Sequence, residues 1–165
     1  MKHSRTISMI GAVCTFSFAV AASAVHAADD NKLSIPVAFG RGLNIAANLP
    51  ENQIMIPDTV RLKQNGVVHF LVAGFHEIAI YNPGKTTDDV AVRAGETFIN
   101  DATNRFYKGI VPAGGPPPAL PVTTDPSNAR NRVESVAFLE KGTYLVICNI
   151  RPHFENGMFG YVEVK

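Results

Sequence analysis

The stretch YLVICNIRPHFENGMFGYVEV, residues 144–164, holds Cys148, His153 and Met158, each five positions after the last. Apolar residues alternate through Tyr144, Val146 and Cys148 against Leu145 and Ile147, the period of a strand that carries the thiol to its end. A short loop follows with Pro152 beside His153, then Gly157 and Met158, then a second alternating run over residues 159–164. Strand, loop and strand would bring a thiolate, an imidazole and a thioether to one point. Thiolate and thioether suit soft Cu(I), and imidazole suits both oxidation states. Two His and one Cys in a trigonal plane, with a long axial Met, form the electron-transfer copper geometry. Taken singly, a cysteine ending an apolar strand is usually a small buried hydrophobe, and a methionine after glycine is usually a gap filler. Together, C-x4-H-x4-M between two strands is constrained in residue type, spacing and context. One imidazole is missing, and it must come from upstream.

The segment GFHEIAIY, residues 74–81, offers it. Alternation puts His76 on the face of Ile78 and Ile80, the face expected inside. A histidine heading a buried apolar row must bond a polar partner or a metal. The rival, His69, stands mid-strand between Val67 and Leu71 with no loop to carry it toward the thiol, and reads as a half-buried residue whose tip reaches solvent. A zinc-protease HExxH motif fails here, since its second histidine position is Ile80.

Gly142-Thr143-Tyr144, then Cys148, Pro152-His153, Gly157-Met158 and a closing strand resemble the C-terminal ligand loop of cupredoxins, the type 1 copper proteins such as plastocyanin, auracyanin and rusticyanin. The loop is longer than plastocyanin's and more similar to that of auracyanin or rusticyanin. IMIPDTVRLKQNGVVHF, residues 54–70, also resembles the early strands of that family, so the resemblance covers roughly residues 54–81 and 133–165. It implies one type 1 copper ion cycling between Cu(I) and Cu(II). His76, Cys148 and His153 would form the plane and Met158 the axial ligand. The protein would carry single electrons between transient redox partners and would not be an enzyme. Copper handling or tolerance is the second reading, although residues 28–60 hold no Met- or His-rich tract; a metal-free sandwich is the third. One position departs from the family. Where Asn or Ser commonly follows the first histidine and ties the ligand loops together, this chain has Glu77. Either an exposed carboxylate on the outer strand face, or a bond from Glu77 to the backbone of residues 149–151 or to Arg151, would fit, and whether the site is blue or green stays open.

The N-terminus bounds the compartment. Lys2 and Arg5 precede an apolar run over residues 9–22, and VHA at 25–27 offers a cleavage site, so residues 1–27 read as a secretory signal peptide and 28–165 as one domain. A periplasmic location follows. The chain has 15 basic and 14 acidic residues, and losing Lys2 and Arg5 leaves a balanced surface that argues against nucleic acid or an anionic membrane as partner. Cys14 would leave with the signal, so Cys148 remains as the single thiol and no intrachain disulfide can form. A monomer is the simplest expectation.

Short alternating runs with turn signals and almost no helical period predict an all-β, antiparallel Greek-key sandwich. Strands are expected over residues 31–42, with Pro36 marking an edge or bend, and over 53–57, 58–72, 76–81, 130–139, 144–148 and 159–164. Gln64-Asn65-Gly66 marks a tight turn. Residues 85–131 read as an insertion, with short strands at 90–92 and 96–99, a polar stretch at 100–108 and an extended Pro/Gly-rich loop at 112–121. That insertion would either shape a docking surface or cover an edge.

Overall fold

The computed structural model describes residues 32–40, 53–112 and 129–165. The expected signal peptide, the polar stretch after residue 43 and most of the Pro/Gly-rich loop lie outside the described residues.

Alternation is strongest where the chain says it should be. In GVVHFLVA (β4, Gly66–Ala73), Val68, Phe70 and Val72 point inward while Val67, His69 and Leu71 are half-buried. β4 pairs in parallel with β1 (Ser34–Gly40) and antiparallel with β7 (Asn131–Phe138); the two-residue β2 (Met55–Ile56) completes a sheet of order β2-β1-β4-β7. The second sheet runs β3-β9-β8-β5-β6, with β3 Thr59–Leu62, β5 Ile78–Tyr81, β6 Arg105–Lys108, β8 Gly142–Cys148 and β9 Phe159–Val164. The all-β sandwich is thus present. Each sheet is mixed rather than antiparallel throughout, because β1 lies parallel to β4 and β3 parallel to β9.

Between the sheets lies the main core. It includes Val37, Phe39, Leu62, Phe70, Ile78, Ile80, Phe138, Val146, Cys148 and Met158, all fully buried. Each large side chain there contributes on the order of 1.5–3 kcal/mol by leaving water. Both faces of β8 are buried, since Leu145 and Ile147 meet a second cluster with Ala79, Tyr81, Val90 and Ile99. Within residues 85–112, Val90 and Ile99 pack against Ala79, Tyr81, Leu145 and Ile147 on the outer face of the second sheet.

Several local expectations change. Residues 90–92 and 96–99 form no strand; a 3-10 turn occupies Thr87–Asp89, and Phe98 makes a single bridge to Ile150. The polar-looking stretch instead contains β6, a half-buried edge strand paired with β5. The Asn65-Gly66 turn is real, with Asn65 at φ 65, but it joins strands of different sheets and makes no hairpin. Pro36 sits where β1 is unpaired on its β2 side, whose pairing is confined to Ala38 and Phe39.

Candidate metal centre

Cys148 ends β8 opposite Ile78 of β5, and its amide donates to the Met158 carbonyl at 3.0 Å. The chain then turns through a five-residue helix, α1 (Arg151–Glu155), where a loop was expected. Pro152 is compatible with that first turn, where an amide has no partner to lose. Gly157, at φ 90, ends the turn, and the Met158 amide returns to the His153 carbonyl at 3.0 Å. Helix and closing bond fold His153 and Met158 back onto the end of β8. Met158 is fully buried in the same core as Cys148.

His76 comes from the chain crossing between the sheets, after β4 and before β5. Its amide donates to the Gly74 carbonyl at 3.1 Å, and the Gly74 amide is held by the Arg130 carbonyl at 2.8 Å. Two glycines make room for the ring. At Gly40 (φ 86) a Cβ would collide with Cδ2 and Nε2 of His76, and at Gly74 (φ 111) it would press on Nε2 at 3.1 Å. The edge opposite Nδ1 is therefore walled by backbone, and Nδ1 faces inward. No sequence signal marks this slot, because GRG at 40–42 resembles an ordinary turn.

The three donors meet. Nδ1 of His76 and Nδ1 of His153 are 3.2 Å apart, and Cys148 Sγ lies 3.7 Å from the first and 3.5 Å from the second. A point equidistant from all three lies about 2.0 Å from each, the length of a metal–imidazole bond, and a small displacement from that point would reach the about 2.3 Å of a metal–thiolate bond. Among the described residues these three are the His, Cys and carboxylate side chains grouped closely enough to hold a metal ion. Together with the Met158 thioether, the donor set fits one type 1 copper ion. His69 is elsewhere, bonded to Ser135 Oγ at 2.8 Å and Ser34 Oγ at 3.0 Å.

Burial pushes the Cys148 thiol up to about 12, partly opposed by hydrogen bonds from the backbone at Ile150 and Glu77. The metal-free site thus holds a neutral thiol, and a bound cation would expel its proton. Burial lowers the pKa of His153, which keeps its imidazole neutral and able to bind a metal. His76 is buried, whereas His153 is half-buried beside Phe154. Phe75, under the Arg130 guanidinium at 5.4 Å, is partly buried as well.

Glu77 does not lie exposed. It is fully buried. Its Oε2 accepts from Asn149 Nδ2 at 3.0 Å, and its carbonyl accepts the Asn149 amide at 2.6 Å. Lys108 stands 3.5 Å from Oε1 as an ion pair without hydrogen-bond geometry. Arg151, expected as a possible partner, pairs with Glu155 instead. The residue after His76 therefore links the two ligand-bearing segments through the Asn149 side chain. Arg105 extends this link, bonding Asn149 Oδ1 at 2.9 Å and the Ile99 carbonyl.

No protein-family model and no curated protein matches the chain. Solved structures of similar shape include dithionite-reduced auracyanin from Roseiflexus castenholzii, at 21% identity and TM-score 0.49, covering 82% of this chain and 98% of that one. Auracyanin A from Chloroflexus aurantiacus, described as a "blue" copper protein, is 13% identical at TM-score 0.43, covering 81% and 99%. Plastocyanin from Dryopteris crassirhizoma is 18% identical at TM-score 0.40, covering 79% and 99%. All three are cupredoxins, the family to which the ligand loop was likened.

Proposed function

We propose that the protein is a type 1 copper protein that passes single electrons between partner proteins in the periplasm, after removal of residues 1–27. One observation carries this reading. Two imidazole nitrogens and a thiol sulfur, from segments 72 positions apart, form a triangle of 3.2, 3.5 and 3.7 Å. In this reading His76, Cys148, His153 and Met158 would be the side chains that hold the copper. Bound copper supplies a one-electron couple between Cu(I) and Cu(II).

The chain supplies the rest. β8 and the closing turn after α1 hold the donors against rearrangement, so oxidation and reduction demand little movement. Burial of Cys148, His76 and Met158 keeps water away from them. His153, half-buried beside Phe154 and Pro152, is the ligand a partner can approach. A small apolar contact suits brief redox encounters.

Copper titration of the purified protein tests this directly. An intense visible charge-transfer band should appear at one equivalent and vanish in Cys148→Ser. A wild-type protein that takes up copper without such a band would overturn the type 1 assignment.

A further inference from the structure

We propose that the buried Arg132–Glu134 ion pair is a positioning device for His76 and that Arg132 controls how firmly the first ligand is held; this rests on the copper reading above. Both side chains lie inside the sandwich on β7, a strand that contributes no ligand. Arg132 Nε donates to Glu134 Oε1 at 2.6 Å, and Glu134 Oε2 also accepts from the Tyr107 hydroxyl at 2.6 Å. The guanidinium then serves three backbone carbonyls. Nη2 donates to the His76 carbonyl at 3.1 Å and to the Ile110 carbonyl at 2.9 Å, and Nη1 donates to the Ala129 carbonyl.

These three carbonyls have something in common. His76 stands between β4 and β5, Ile110 follows β6, and Ala129 precedes β7, so none lies in a strand ladder. The His76 carbonyl, on a buried residue outside any ladder, needs a donor from elsewhere, and one guanidinium with five N–H groups serves it while also bonding the other two. The neighbouring bonds converge on the same crossing, with the Gly109 amide on the Ile78 carbonyl at 2.8 Å and the Asn149 amide on the Glu77 carbonyl. Gly109 is part of the arrangement, since a Cβ there would collide with the Glu134 carboxylate.

Stability alone does not explain such a pair, because well-packed apolar residues usually do as well or better in its place. Placement does explain it. The clamp holds the His76 backbone from the carbonyl side, while Gly40 and Gly74 wall its ring from the other. It also joins the His76 carbonyl to those of Ile110 and Ala129 through one side chain.

The double variant Arg132→Met/Glu134→Met tests the idea, since removing both charges leaves neither one buried alone. Wild type and variant are compared by Cu(I) competition against a chelator, by the visible band, and by far-ultraviolet circular dichroism. The expected result is an unchanged fold, a fall in copper affinity of about tenfold or more, as outer partners of metal ligands typically show, and a displaced band maximum. A variant with wild-type affinity and band overturns the clamp while leaving the copper site standing. A wild-type protein that binds no copper overturns both. Should the double variant fail to fold, Arg132→Lys carries the test. It keeps the charge but loses the planar fork, and wild-type affinity and band in that protein would equally overturn the proposal.

Discussion

Replacing Gly40 with alanine should damage the metal site from behind. Gly40 ends β1 at φ 86, where an L side chain costs about 1–2 kcal/mol. Its new methyl would also overlap Cδ2 and Nε2 of His76 and the Ala73 carbonyl. Overpacking of that kind costs about 1–3 kcal/mol, so the sum is about 2–5 kcal/mol. Gly84→Ala is the matched control, since Gly84 has nearly the same φ of 85 and nothing within 4 Å of its Cβ. It should cost about 1–2 kcal/mol, from backbone strain alone. Urea unfolding of the copper-free proteins measures both, and the visible band of the copper-loaded forms reports on the site. Gly40→Ala should be the less stable by about 1–3 kcal/mol, with its band shifted or weakened. Equal stabilities and an unaltered band would refute the view that backbone packing fixes the His76 ring.

Three further outcomes follow from the same geometry. In copper-free protein at pH 8, Cys148 should react with a thiol reagent about a thousandfold more slowly than a free cysteine. A thiol pushed up to about 12 is ionised in only about one molecule in ten thousand, against about one in ten at the ordinary value of 9.0; the rate should rise with pH well past 9, and a plateau near that value would contradict the burial. Glu77→Ala should cost about 1–3 kcal/mol in urea unfolding, because it leaves the buried Asn149 amide without its acceptor, whereas Glu77→Gln keeps an oxygen there and should cost clearly less. His69→Ala should leave copper affinity and spectrum unchanged, and any loss of the band would return His69 to the list of ligands.

The candidate site was legible because its chemistry is local. Cys148, His153 and Met158 lie within one stretch, and His76 heads an apolar strand after a glycine bend. What escaped reading was decided by contacts distant in sequence. Alternation sets Glu77 opposite the inward-facing Ile78, but nothing nearby announces that Glu77 is buried, or that Val90 and Ile99 cover the face of Ala79 and Tyr81. The same covering role gives those two residues the look of strand positions. α1 is too short for a helical period to show, and Pro152 reads equally well as loop. β6 is half-exposed at a sheet edge, so its residues look polar. The parallel pairings of β1 with β4 and β3 with β9 join segments whose partners no local pattern names.

His76 sits on the strip of chain that passes from one sheet to the other, while Cys148 belongs to the second sheet alone. An ion shared by these residues would act as a rivet through both layers of the sandwich. Heating the loaded protein should then eject the metal and separate the layers as one event, with colour and β-structure lost at the same temperature.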